Sequence, residues 1–417
     1  MIRFNSKIRI KRYKSDEIAY FLCFYVTLMI FAEMFETIIP AQFKYADEIF
    51  ALIALMYIGC RLLLGYSLRN VEKTLVISVS LIVLCGILGN IIYGIHKSAI
   101  SVVLDVFLFI KIYASMLLAL MAIKGDRVNA IYHYMLAFSK LLLCIVTFLI
   151  LLDAALNGWQ NKYSIFFTYY GSLSWWVSLF FAIVYTDKTC KRLFYFICTA
   201  VIITKNGSDL GLLSLGMMVV IYLFVEKSRK FRWYHFAIML CVGAWIGWQD
   251  IGRYLMNVKA PRFLLIYYGF ITANRYFPLG SGFATYASAQ AARTYSKLYY
   301  EYGFDRVWGM TPDTKHFIQD SYYPVVVGQT GYIGTIVFAI FMCVVMKRIV
   351  LDTKDKYFRC GSLIVISTWL AAGIGFLGSA TSWGCCVFIV IVLLNRMGER
   401  QIANNECLSE VLGDGAP

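Results

Sequence analysis

Asp320, His316, Arg262 and Arg275 are residues of this 417-residue chain whose types could do chemistry together, and all four fall within residues 250–322. Asp320 and His316 are four positions apart, so on a helix they would share one face. A carboxylate beside an imidazole can take the proton from a weakly acidic hydroxyl. An arginine offers a planar fork of donors that matches phosphate oxygens and steadies negative charge developing on a leaving group. Just beyond Arg275 comes Gly280-Ser281-Gly282, where two glycines let the backbone bend tightly and aim N–H groups into an anion-binding concavity, or simply make a turn. Lys111, near the middle of one apolar run, and Lys205, at the end of another, are two further cations that could reach an anionic group. Each has a plainer reading. Asp320 or Ser321 can cap a helix that has Pro324 in its first turn. His316 can bond to nearby backbone, and Arg262 and Arg275 can snorkel to lipid headgroups. Lys111 can pair with an acid of another helix, such as Glu33 or Glu36.

What must position these side chains is a membrane frame. Hydrophobic residues make up 60% of the chain and charged ones 15%, with a mean hydropathy of +0.68, which does not describe a water-soluble surface. A helix needs about 20 apolar residues to cross some 30 Å of hydrocarbon. Twelve runs approach that length: 18–38, 46–65, 74–94, 99–122, 129–154, 164–185, 191–205, 208–225, 233–249, 323–346, 361–376 and 380–395. With the amino terminus inside, every short outer segment carries at most one Lys or Arg and every inner segment carries two or more. That asymmetry predicts both termini in the cytoplasm and residues 250–322 outside. The net charge of +15 is then topogenic, and nucleic acid is an unnecessary partner. The expected fold class is an all-α polytopic membrane protein of about twelve spans, divided into residues 1–249, the outer loop 250–322, and residues 323–417. No cysteine of the twelve falls in the outer loop, and no Cys/His cluster suggests a metal.

The loop has its own texture: 73 residues with three of the six prolines and ten tyrosines. A loop this long with apolar periodicity of its own is commonly functional. Residues 262–273, opened by Pro261, read as one amphipathic helix and residues 284–302 as a second, both suited to the membrane surface. Tyr295, Tyr299, Tyr300 and Tyr302 suit an interfacial aromatic belt or the stacking of sugar faces. Gly328, Gly331 and Gly334 make a small-residue stripe that allows close helix contact.

In this order, Pro-Arg-Phe-Leu-Leu-Ile (261–266), Phe-Pro-Leu-Gly-Ser-Gly-Phe (277–283), Phe-Ile-Gln-Asp-Ser-Tyr-Tyr (317–323) and Gly-Gln-Thr-Gly-Tyr-Ile-Gly (328–334), the sequence resembles the superfamily of bacterial O-antigen polymerases and O-antigen ligases. The resemblance covers about 250–340 by motif and the rest by topology. It implies a membrane glycosyltransferase of the GT-C type, acting at the outer face of the bacterial plasma membrane on undecaprenyl diphosphate-linked glycans. No cofactor or metal is implied; membrane lipids and a chain-length regulator are the implied further partners. Arg262, Arg275, Lys205 and Lys111 become candidates for holding the diphosphate, and Asp320 and His316 for the acid–base work. The ending Asp320-Ser321-Tyr322 resembles the polymerases more than the ligases, which carry a histidine where Asp320 stands. A second departure is Asp209 where many members place an arginine, with Lys205 one turn away as its substitute. The competing class is a flippase for the same lipids. Such transporters are built from repeats with broken helices in matched positions, a symmetry this sequence lacks.

Overall fold

The computed structural model describes residues 2–34, 45–96, 98–159, 170–226, 232–248, 251–375 and 377–413; among them every regular element is helical. Among the described residues nine helices precede the loop: α1 (Ile2–Met34), α2 (Ala46–Leu63), α3 (Asn70–Tyr93), α4 (Ala99–Ala122), α5 (Arg127–Asn157), α6 (Tyr170–Tyr185), α7 (Arg192–Asn206), α8 (Asp209–Val220, prolonged by a π-helical turn to Val225) and α9 (Trp233–Ile246). Three follow it: α13 (Tyr323–Val345), α14 (Lys356–Gly375) and α15 (Ser382–Gly413). A helix thus occupies each of the twelve apolar runs, though Glu36 and residues 164–169 of the sixth run lie outside the described residues. Among the described residues six helices are long and apolar enough to cross a membrane by length and composition: α3, α4, α5, α13 with its π-helical extension to Leu351, α14, and α15 to Ile402.

Which helices lie inside follows from their sequence. The stretch Trp383–Leu394 of α15 is apolar on all sides, and with Cys360–Ile366 of α14 it is buried on almost all sides against α4 and α6. Outer helices keep bare apolar stripes: Ile77, Leu81 and Leu84 on α3, Leu141, Ile145 and Phe148 on α5, Ile333, Ile336 and Ile340 on α13. Residues spaced three or four apart form one helix face. In water such faces would be an association hazard; hydrocarbon removes the penalty.

The loop is a small folded unit stitched to this bundle. Pro261 opens α10 (Pro261–Arg275) as expected, but the second anticipated helix is two short ones, α11 (Ala289–Thr294) and α12 (Lys297–Glu301). Ala284 and Ala287 lie at positive φ of 61° and 54°, and Tyr295 at 50°, which no helix tolerates. Leu265, Tyr286, Tyr295, Tyr299, Phe304, Met310 and Ile318 form a core separate from that of the bundle. The tyrosines are therefore neither a belt nor a sugar platform as a group. Tyr286 donates to Leu265 O at 2.6 Å and Tyr295 to Met310 O at 2.9 Å, while Tyr299 O accepts the Ala287 N–H at 2.8 Å, so each buried phenol is satisfied.

The glycine motif docks this unit. Gly331, at φ 62° and ψ −163°, breaks the hydrogen-bond ladder of α13. The carbonyls of Gly328 and Gln329 accept instead the N–H groups of Ser281 and Gly282, at 2.9 and 3.0 Å, and Ile333 N–H donates to Pro278 O at 3.3 Å. A Cβ on Gly280 would lie 2.3 Å from Gly331 N, so the two backbones meet only because both positions are glycine. Phe283 N–H donates to Asn90 Oδ1 at 2.7 Å and Ala284 N–H to Asp105 Oδ2 at 2.6 Å. The expected anion concavity is thereby overturned, because its donors are consumed in joining loop to bundle. Nearest to Gly328 and Gly331 of the expected stripe are Tyr286 and this loop segment.

Asp105 Oδ2 also accepts from Ser288 Oγ at 2.8 Å and Gln329 Nε2 at 2.9 Å. Asp105→Asn points an NH₂ at these donors or leaves some unmet, and is expected to destabilise the protein by about 1–3 kcal/mol. Thermal melting in detergent together with proteolytic release of the loop would check this; an unchanged melting temperature would refute it.

Candidate functional site

Arg262 and Asp320 meet. Arg262 is the second residue of α10, whose start Pro261 fixes, and its Nε donates to Asp320 Oδ2 at 2.6 Å across 58 residues of sequence. Its Nη2 donates to Gly375 O at 3.1 Å, at the C-terminal end of α14, and its guanidinium lies 4.5 Å from the Tyr254 ring centroid. A cation suits the unsatisfied carbonyls of a helix end. Asp320 does not cap α13: that helix begins without a side-chain cap, and Ser321 Oγ donates to Gly373 O at 3.3 Å instead. Tyr322 N–H and Leu377 N–H hold the segment from both sides, donating to Gly373 O at 2.9 Å and accepted by Gln319 O at 3.2 Å respectively. Both side chains of the pair keep a fifth of their surface exposed, 23% for Arg262 and 20% for Asp320. Burial pushes the Asp320 carboxyl above its ordinary range, against the opposing pull of Arg262.

Beside the pair opens a groove of about 1320 Å³ between α8, α9, α13 and α14. At one end stand Arg262, Tyr254, Gly375 and the amino-terminal turn of α8, Gly207 to Leu210. Ser208 caps α8, accepting from Gly211 N–H at 3.3 Å, and the first turn of a helix is intrinsically favourable to an anion. The middle is apolar, with Leu213, Met217, Met239, Leu363 and Ile366; the far end carries Lys347, Asp352 and Arg359. From Gly375 to Arg359 along α14 the helix rises about 24 Å. Among the described residues α9 packs chiefly on α8 and not closely on α13 or α14, which leaves the groove its width. Its volume exceeds the roughly 300–1,000 Å³ of drug-sized pockets, and its length and apolar walls suit a long hydrocarbon chain with an anionic head beside Arg262.

The other anticipated residues lie elsewhere. Arg275 is at the opposite end of α10, about 20 Å from Arg262 along the helix axis. There it is exposed, paired with Glu301 and set over the Tyr276 ring at 5.4 Å. His316 is exposed, in a turn and not a helix, so the one-face argument that joined it to Asp320 fails. Lys205 is buried, donating to Gly158 O at 2.8 Å with Asp153 Oδ2 at 3.6 Å, and does not line the groove. Lys111 donates to Asp47 Oδ2 at 2.5 Å, both side chains buried; the anticipated partner Glu33 instead accepts from Trp176 Nε1 at 2.9 Å and from Ser382. Sequence reasoning missed Tyr254 and Gly375, which reach Arg262 from two separate elements and share no motif with it; it had marked the start of α8 only as the place where Asp209 departs from the family's arginine. Among the described residues no group of His, Cys, Asp or Glu is placed to hold a metal ion.

A buried pair broken on one side is destabilising, whereas removing both charges is tolerated. Lys111→Met is expected to lower stability by about 3 kcal/mol, and adding Asp47→Leu to restore most of it. A double-mutant cycle of melting temperatures would show this, and purely additive losses would count against the pairing.

No protein-family model matches this chain, and no curated protein matches it either.

Proposed function

We propose that this protein is a glycan polymerase of the bacterial plasma membrane, joining undecaprenyl diphosphate-linked repeat units on the outer face. The single observation that carries the reading is Arg262, held by Asp320, at the polar end of a long apolar groove. In this reading all twelve helical runs cross the membrane in a GT-C-type arrangement, with both termini cytoplasmic and the 250–322 unit outside. The prenyl chain lies in the groove and the diphosphate sits against Arg262 and the first turn of α8. An acceptor hydroxyl attacks the anomeric carbon, the carbon–oxygen bond to the diphosphate breaks, and configuration inverts. Arg262 steadies the departing diphosphate while Asp320 takes the hydroxyl proton. The bond energy is already in the donor, so the step calls for no nucleotide.

A flippase reading fits less well, because moving a diphosphate through the groove would take it past Leu213, Met217 and Ile366 with no charged partner and Ser367 as the polar side chain at that level. Incubating purified protein with the host strain's undecaprenyl diphosphate-linked repeat unit is the test. A ladder of products supports polymerase, a single transfer to lipid A core means ligase, and movement across vesicles without bond formation means transporter.

A further inference from the structure

We propose that the outer unit holds the acceptor glycan on a stacking platform built on Trp308, with His316 at its rim; the proposal rests on the polymerase reading above. Trp308 is 78% exposed, the barest large aromatic of a unit that also leaves Tyr267, Phe270, Phe277 and Tyr300 exposed while Tyr286, Tyr295, Tyr299 and Phe304 enter its core. It is nevertheless held firmly. The Phe317 ring lies 5.4 Å from the indole at 60°, and Phe317 N–H donates to Gly309 O at 2.9 Å. Gly309, at φ 78°, makes this packing possible, since a Cβ there would stand 2.2 Å from the Phe317 ring. The next residue, Met310, is buried and its carbonyl accepts the Tyr295 hydroxyl at 2.9 Å. Beyond it Thr314 N–H donates to Thr311 Oγ1 at 3.1 Å, closing a tight turn that returns the chain to Phe317.

The platform and the proposed base belong to one segment. Asp320 N–H donates to Phe317 O at 3.2 Å, a turn whose ends lie within about 7 Å. A pyranose presents one face of weakly electropositive C–H groups, which suits the electron-rich face of an indole, while its rim of hydroxyls needs polar partners. Exposed His316 and Asp313, on the turn that leads from Trp308 back to Phe317, are the polar side chains the proposal assigns to that rim. An exposed indole serving only as a membrane anchor would dip among headgroups, which is the alternative to be separated.

The experiment uses the full-length protein in nanodiscs, with the lipid-linked repeat unit as donor and its delipidated glycan as acceptor. Trp308→Ala is expected to raise the acceptor KM about three- to tenfold, leaving kcat and donor binding unchanged, and Trp308→Phe to recover most of the loss. Unchanged acceptor KM in Trp308→Ala, or strong quenching of the Trp308-dependent fluorescence by brominated lipids, would overturn the platform. If wild-type protein makes no ladder, the polymerase reading fails by itself. The platform is then judged by binding of the delipidated glycan, followed by intrinsic fluorescence: binding that Trp308→Ala removes supports it, and equal or absent binding refutes it.

Discussion

Arg262→Ala is expected to abolish the product ladder, lowering turnover about a thousandfold, or some 4 kcal/mol. The reason is geometric as well as electrostatic. Arg262 is fixed by Asp320 at 2.6 Å, by Gly375 O at 3.1 Å and by the Tyr254 ring, so it faces the end of the groove without reorganising when charge develops there. Arg262→Lys keeps the charge but loses the two-pronged fork that reaches Asp320 and Gly375 together, and should recover only part of the activity. Arg275→Ala is the matched control: that arginine is exposed, paired with Glu301 and at the far end of α10, so the ladder should persist. Both variants must first be shown to insert and melt like the parent. A normal ladder from folded Arg262→Ala would remove the residue from the reaction.

Asp320→Asn is the second large effect, expected at a hundredfold or more, because an amide cannot take a proton from the acceptor hydroxyl. The pH dependence carries the sign. Burial raises the Asp320 carboxyl above the ordinary carboxylate range of about 4, so protonation, which disables the base, begins at higher pH than for an exposed aspartate. Activity should therefore fall on the acid side along a limb displaced upward from that range, and the residual activity of Asp320→Asn should lack the limb. The same shift has a stability consequence. A carboxyl that binds its proton more tightly folded than unfolded loses stability for the protein as pH rises from the unfolded value through the folded one. A wild-type acid limb at the ordinary carboxylate position, or one that persists in Asp320→Asn, would contradict the assignment.

The helices at all twelve apolar runs, the folded character of residues 250–322 and the start of α10 at Pro261 were legible in the sequence. Each depends on local physics: apolar length, composition, and the fixed φ of proline. Arg262 and Asp320, which the order of motifs and not their spacing singled out, are in contact. Arg275, His316, Lys205 and Lys111 carried the same charges or proton-exchanging groups and were equally plausible on paper. What sorted them is distance through space: one turn of helix unmade at His316, about 20 Å of α10 before Arg275, and carboxylates from other helices waiting for the two lysines.

The glycines show the division most sharply. As a string, Gly280-Ser281-Gly282 offers free N–H groups, and only the break at Gly331 some fifty residues later supplies the carbonyls that take them. By itself, then, the sequence determined which segments must leave water and which side chains were able to bind an anion or move a proton, since hydrophobicity and acidity are properties of residues. The tertiary structure alone decided which of those side chains face an open groove and which are neutralised by a neighbour, since a partner's charge or hydrogen bond arrives from a part of the chain that no local pattern can foresee.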